Sequence, residues 1–251
     1  MTQFRLSVCA TAFTFLMTAL GAAAVFCFGT KVSARVRRVC FGFAAGVMCA
    51  AAVFSLLVPA IEKTRERGGM PALTAGAGFL FGAAALLAAD RWMEKRRRAR
   101  GEADGNALLI TAVTLHNIPE GMAVALACFG AADAGGAGAA AALTLALGVG
   151  LQNIPEGAAV SLPLRQSGMS RTKSFLMGAA SGAVEPLAGI LAALAAAAAE
   201  AMLPGLMAAS AGAMMLVVVS ELIPDASRDR AGTAAVMAGY VVMMALDVAL
   251  G

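Results

Sequence analysis

Eight long apolar stretches, joined by short charged or glycine-rich connections, constrain this chain more than any other feature. They fall near residues 6–29, 39–61, 70–90, 107–130, 138–164, 174–199, 205–224 and 232–250. At about 1.5 Å per residue, each can cross a hydrocarbon core of about 30 Å. Inside lipid a helix satisfies its own backbone groups, so the expected fold is an all-α polytopic membrane protein, one domain of eight helices over residues 1–251. Composition agrees: 60% of residues are hydrophobic and 14% charged, against about 25% charge in a soluble domain. Abundant Ala and Gly suit helices that pack where lipid gives no hydrophobic drive for association. The first stretch, preceded by Arg5, has the look of a secretory signal. It continues through Phe28, too long for such a segment, and reads as a span.

Eight crossings put both termini on one side. Of the 19 Lys and Arg residues, only Arg5, Lys63, Arg65 and Arg67 fall on the loops of that side. The rest lie on the opposite loops, densest from Arg91 to Arg100. The positive-inside rule then places both termini outside the cytoplasm, in a bacterial inner membrane. The run Arg96–Arg98 invites a nucleic-acid or anionic-lipid reading, but in a short loop it reads as a topology anchor, and no nucleic-acid partner is expected. The five cysteines lie in or beside apolar runs with no Cys-x-x-Cys pair. They read as small reduced hydrophobes.

Asn117-Ile-Pro-Glu-Gly121 recurs as Asn153-Ile-Pro-Glu-Gly157 in the next span, which runs in the opposite direction. A weaker echo joins Ser55-Leu-Leu-Val-Pro59 to Ser220-Glu-Leu-Ile-Pro224, each preceded by Gly-x-Met at Gly46 and Gly212. Together they suggest an inverted repeat, spans one to three paired with six to eight and four with five, an arrangement associated with a midplane transport site.

The repeat carries the chemistry. His116 and Glu120 are spaced i, i+4, as are Gln152 and Glu156, so each pair shares a helix face. Asn117 and Asn153 lie beside those faces. Pro119 and Pro155 are expected to kink their helices and release the carbonyls of Leu115 and Leu151, and Gly121 and Gly157 to let a neighbouring backbone come close. Span six adds Glu185-Pro186, one turn after Ser181 and Gly182. An ionised carboxylate costs about 2.5–3.5 kcal/mol at mid-membrane, and no Lys or Arg matches the depth of these three. They must hold protons or bind a cation. Carboxylates, amides and one imidazole form a mixed nitrogen and oxygen set, better suited to Zn²⁺, Fe²⁺, Mn²⁺ or Cd²⁺ than to Cu⁺. A lone histidine on an apolar face is more often a core residue, but Glu120 one turn on and the copy in span five point to a ligand. The candidate metal residues are His116, Asn117, Glu120, Gln152, Asn153, Glu156 and Glu185. Glu221 and Asp225 read equally as an exit site or as interfacial charges. Asp90 and Asp247 are expected to be solvated at helix ends.

These motifs resemble the ZIP (Zrt-, Irt-like protein) family of divalent-metal transporters, in its prokaryotic GufA-like branch. His116-Asn-Ile-Pro-Glu-Gly121 resembles the fourth-helix motif and Gln152-Asn-Ile-Pro-Glu-Gly157 the fifth. Ser181-Gly-x-x-Glu-Pro186 resembles the sixth, and Gly212 to Pro224 the seventh. The resemblance implies uptake of Zn²⁺, and also Fe²⁺, Mn²⁺ or Cd²⁺, into the cytoplasm as transported substrate, by a 3+2+3 fold. It implies a transport unit of helices one, four, five and six moving against a scaffold of two, three, seven and eight. It also allows a binuclear site: His116, Glu120, Gln152 and Glu156 for one ion, and Asn117, Asn153 and Glu185, with the two glutamates bridging, for a second. Some relatives have Asp where Asn153 stands, so this chain carries less negative charge at the second position. The loop after span three holds no histidine, so metal sensing by a histidine-rich loop does not apply. The expected partners are metal ions and the bilayer, with a homodimer left open. Alternatives are a proton- or sodium-coupled carrier of another cation and an intramembrane metal-dependent hydrolase. The hydrolase is disfavoured by a single histidine and no His-Glu-x-x-His helix.

Overall fold

The computed structural model describes residues 2–27, 33–99, 105–131, 135–198 and 200–250, all helix or short turn. Expected span one is α1 (Thr2–Ala22) with the short α2 (Ala24–Cys27). Span two is α3 (Ala34–Ala50), a π-helical stretch (Ala51–Leu57) and α4 (Val58–Glu66). Spans three, four and five are α5 (Pro71–Ala99), α6 (Gly105–Ala131) and α7 (Gly135–Gln166). Span six is α8 (Arg171–Gly182) and α9 (Val184–Ala198). Span seven is α10 (Leu203–Val217), a second π stretch (Val218–Leu222) and α11 (Ile223–Ala226), and span eight is α12 (Arg230–Leu250). Among the described residues, seven helical segments are long and apolar enough to cross a membrane. The stretch expected at 107–130 lies within α6.

The helices overrun the apolar stretches because interfacial charges do not interrupt backbone hydrogen bonding. α5 continues past Arg91 and Lys95, with Arg96 laid over the Trp92 ring at 4.1 Å. Leu80, Phe81, Leu187, Leu191 and Val248 stand on the outer surface, as a lipid-facing shell requires. The core joins Met48 and Leu56 of span two, Leu126 of α6, Leu145 of α7 and Met207 and Met214 of α10.

In spans two and seven, where the helix widens, proline gives the reason. A proline ring clashes with the carbonyl four residues earlier, which for Pro59 and Pro224 belongs to Ser55 and Ser220. Both serines lie in the π stretches, and each stretch closes on an i→i−5 bond, Val58 N–H to Val53 O and Ile223 N–H to Val218 O. The wider turn relieves the clash. Pro119 and Pro155, by contrast, sit inside continuous α-helices.

The most extensive helix pairs are α3 with α12, α5 with α10, α1 with α7 and α6 with α9. The first two are built alike. A Cβ on Gly46 would strike the backbone of Val236, and one on Gly239 that of Phe43. A Cβ on Gly212 would strike the backbone of Phe79, and one on Gly82 that of Ala209. In both crossings each glycine rests on the residue three positions before its opposite glycine.

Polar contacts tie several helix ends together. Lys63 donates to the carbonyl of Gly130 at 3.1 Å, placing a cation at the C-terminal end of α6. Arg37 lies 3.4 Å from Asp225, and Arg35 3.9 Å from Asp229, joining the start of span two to the end of span seven. Asp247 is not merely solvated as expected. It accepts a 2.8 Å bond from Ser55, whose hydroxyl lies in the π stretch. All five cysteines are free thiols.

Replacing Gly46 or Gly212 with Leu is expected to cost about 1–3 kcal/mol through forced separation of the helices, read as a lowered thermal midpoint in detergent. Gly76→Leu, at a position with open space around it, is the control expected to leave the midpoint unchanged.

Candidate metal site

The repeated motifs place their polar side chains in the middle of the bundle. Asn117, Glu120, Gln152, Asn153 and Glu185 are completely buried, and Glu156 is 5% exposed. α6 and α7 meet through the Gln152 amide, which donates to Glu120 Oε1 at 2.8 Å. α7 and α9 meet through Asn153, whose Nδ2 donates to Glu185 Oε2 at 2.9 Å. Span six breaks between α8 and α9 at Ala183, so Glu185 falls in the first turn of α9. There the positive end of the helix dipole favours a carboxylate.

The glycines of the motif determine how closely these elements approach. A Cβ on Gly121 would strike the backbone of Glu185, and one on Gly157 the backbone of Thr18. Each motif asparagine then clamps the same neighbour that its glycine admits. Asn117 Nδ2 donates to the Ser181 carbonyl at 2.9 Å, and Asn153 Nδ2 to the Thr14 carbonyl at 3.2 Å.

Five side-chain oxygens in this centre are buried without any hydrogen-bond donor: Asn117 Oδ1, Glu120 Oε2, Gln152 Oε1, Asn153 Oδ1 and Glu156 Oε2. An unpaired buried acceptor costs on the order of 1–3 kcal/mol, and more when charged. Five together are an arrangement that a hard or borderline cation would satisfy. Three of the five are amide oxygens, and among the described residues no group of three His, Cys, Asp or Glu side chains could hold a metal by itself. The carboxylates thus need the amides, or His116, to complete a coordination shell. The His116 backbone lies in α6 one turn before Glu120, and its side chain lies outside those described.

Span one supplies what the motifs did not announce. Ser7, Thr11, Thr14 and Thr18 of α1 are all buried and recur at helical spacing. Ser7 donates to the Ala125 carbonyl of α6 at 2.8 Å, and Thr18 to Glu185 Oε1 at 2.8 Å. The 7, 11, 14, 18 period was visible in the sequence, but hydroxyls in an apolar run commonly bond their own helix and signal little. Ser210 of α10 donates to the Pro119 carbonyl at 2.8 Å, bonding the fourth span to the seventh. On the other side of the centre, Pro155 borders an apolar cavity of about 830 Å³ between α1, α7 and the start of α3. Glu221 and Asp225 are not part of this centre. Glu221 is exposed, and Asp225 pairs with Arg37 and, at 3.8 Å, with Arg228.

The family model for "ZIP Zinc transporter" matches residues 94–247. The chain is 35% identical to the zinc transporter ZIP11 of Homo sapiens, over 96% of each protein. It is 34% identical to the zinc transporter GufA of Myxococcus xanthus, over 79% of this chain and 81% of that protein. It is 33% identical to the zinc transporter ZIPB of Bordetella bronchiseptica, over 94% of this chain and 79% of that protein.

Ser210→Ala removes the hydroxyl but leaves the Pro119 carbonyl its place in the helix. The expected loss is about 1 kcal/mol, seen as a small drop in the thermal midpoint of the purified protein.

Proposed function

This chain belongs to the ZIP zinc transporter family, and on that premise we propose that it carries divalent transition-metal ions, Zn²⁺ foremost, across the bacterial inner membrane into the cytoplasm. It is a multi-pass membrane transporter rather than an enzyme. The observation that carries the reading is the set of five unpaired buried oxygens on α6 and α7. Glu120 and Glu156 would supply the charge and Gln152 and His116 the remaining ligands, with Asn117, Asn153 and Glu185 available for a second ion or as support. Fe²⁺, Mn²⁺ and Cd²⁺ suit the same donors.

The mechanism we favour is alternating access by eight spans. Spans one, four, five and six carry the ion, and spans two, three, seven and eight form the scaffold. The four extensive helix pairs support that division, since each joins helices of the same group. The matched glycine crossings support an inverted repeat within the scaffold. The apolar groove beside Pro155 separates part of α7 from the start of α3, which would ease movement of one group past the other. Release toward the cytoplasm is supported by Ser161 and Ser174, whose buried hydroxyls lack partners. They lie between the centre and the basic ends of α7 and α8, at Arg165 and Arg171.

Dehydrating a dication is costly, and two carboxylates that neutralise it make the loaded centre nearly uncharged and free to move through a low-dielectric interior. Proteoliposomes containing the purified chain are expected to take up ⁶⁵Zn²⁺, with competition by Cd²⁺. Glu120→Ala combined with Glu156→Ala is expected to lower uptake at least tenfold. Undiminished uptake by that double variant would remove both residues from the pathway.

A further inference from the structure

The bonds between spans sort by the two groups proposed above. Asn117 to Ser181, Asn153 to Thr14 and Ser7 to Ala125 join spans one, four, five and six to one another. Ser55 to Asp247 and Arg37 to Asp225 join spans two, seven and eight. Lys63 and Ser210 differ. Each reaches from the scaffold onto the backbone of α6, at Gly130 and at Pro119. Apolar packing lies on the same side. Among the described residues, what α6, α7 and α9 give to the buried core falls between Ala123 and Ala131, between Ala142 and Val149, and at Ala192 and Ala196. All of it lies between the three glutamates and the end of the bundle that holds the chain termini. Toward the basic end the groups part. There the groove of about 830 Å³ separates residues 154–166 of α7 from residues 33–41. A second hollow, of about 600 Å³, lies between Pro155, Cys40 and residues 231–238 of α12.

We propose that Lys63 is an outer latch: it positions the end of α6 against span two and keeps the resting carrier closed on the side of the termini, which the charge distribution places outside the cytoplasm. The proposal rests on the alternating-access reading above. Gly130 is among the last four residues of α6, whose carbonyls have no partner within the helix. The Lys63 ammonium fills that need and meets the negative end of the helix dipole. The bonds inside each group are different in kind. Asn117 and Asn153 are completely buried, and parting their amides from the bonded carbonyls would leave both dry. Lys63 is only partly buried, at the edge of the bundle, so water takes over both partners when the spans separate. Ser210 parts as readily. Its hydroxyl can turn back onto the Leu206 carbonyl of its own helix, and the Pro119 carbonyl keeps its place in α6. The contacts that cross between the groups are therefore ones that open at little cost. They favour the closed state by a modest factor rather than locking it.

Thiol reactivity reads the two sides separately. Cys40 borders both hollows at the basic end. Ala123 is completely buried one turn beyond Pro119, toward the termini, and Ala123→Cys reports there. In each of two chains one of these thiols is kept and every other cysteine is changed to alanine. The purified full-length protein is then labelled in detergent with a water-soluble maleimide. With Lys63 intact, Cys40 is expected to react readily and the Ala123→Cys thiol to be protected. Lys63→Met keeps the stem without the charge. It is expected to label the Ala123→Cys thiol about two- to fivefold faster and Cys40 more slowly. Lys63→Arg is expected to keep the original rates, and Lys63→Gln stands in if methionine prevents folding. A merely structural Lys63 would leave both thiols more reactive and lower the thermal midpoint, which overturns the proposal. Unchanged rates in the methionine and glutamine variants overturn it as well. So does an Ala123→Cys thiol already as reactive as Cys40 with Lys63 in place. Uptake of ⁶⁵Zn²⁺ by the wild type in proteoliposomes separates the two readings. Where uptake proceeds, failure of the latch leaves transport standing. Absence of uptake sinks the transport reading and the latch together.

Discussion

Glu120, Glu156 and Glu185 are buried in the middle of a helical bundle whose outer face is apolar, with no Lys or Arg at their level. Most of the polar structure around them answers that one difficulty. Water is the usual partner for a carboxylate and is not at hand in hydrocarbon, so the protein brings amides from α7 and a hydroxyl from α1. Gln152 reaches Glu120, Asn153 and Thr18 reach Glu185, and the start of α9 contributes its dipole. None of these donors carries a full positive charge. They hold the side chains in place without adding a positive charge, and on the proposed reading that leaves the carboxylates for a mobile cation.

Such a centre works only if four spans approach within hydrogen-bonding distance at one depth. Close approach is therefore a requirement of the chemistry as well as a packing habit. Gly121 and Gly157 meet it by letting the backbones of α9 and α1 press against α6 and α7. The same means, used at Gly46, Gly82, Gly212 and Gly239, joins α3 to α12 and α5 to α10. One rule, a small residue wherever two backbones cross, builds both the part that binds and the part proposed to support it.

Much of this was legible in the sequence for physical reasons. Apolar length fixes a membrane helix with little help from tertiary context, so the described residues of the expected stretches fall almost wholly on helix, although α5 runs well past the end expected for it. Glutamate in an apolar run is costly enough to be conspicuous, and its repetition with Asn, Pro and Gly made the centre stand out. Thr14 and Thr18 were not legible, since threonine in a membrane helix costs little and satisfies itself on its own backbone. Ser210 was hidden for the same reason, its bond to Pro119 crossing 91 residues of sequence. The π stretches fall before Pro59 and Pro224, while the helices around Pro119 and Pro155 remain continuous. Proline alone does not say whether a helix will widen. That depends on the freedom of the preceding turn.

The π stretches of spans two and seven also bear on how the two halves stay in phase. From Gly46 to Ser55 is one residue more than from Gly212 to Ser220. In a uniform α-helix a single added residue swings everything beyond it by about 100°. That rotation would carry Ser55 away from Asp247. Both spans widen, but the π stretch of span two, Ala51–Leu57, is longer than that of span seven, Val218–Leu222, and so can absorb the surplus residue. Each half can then keep its glycine crossing on one side and its Ser-x-Leu-x-Pro segment on the other, although the lengths between them no longer match.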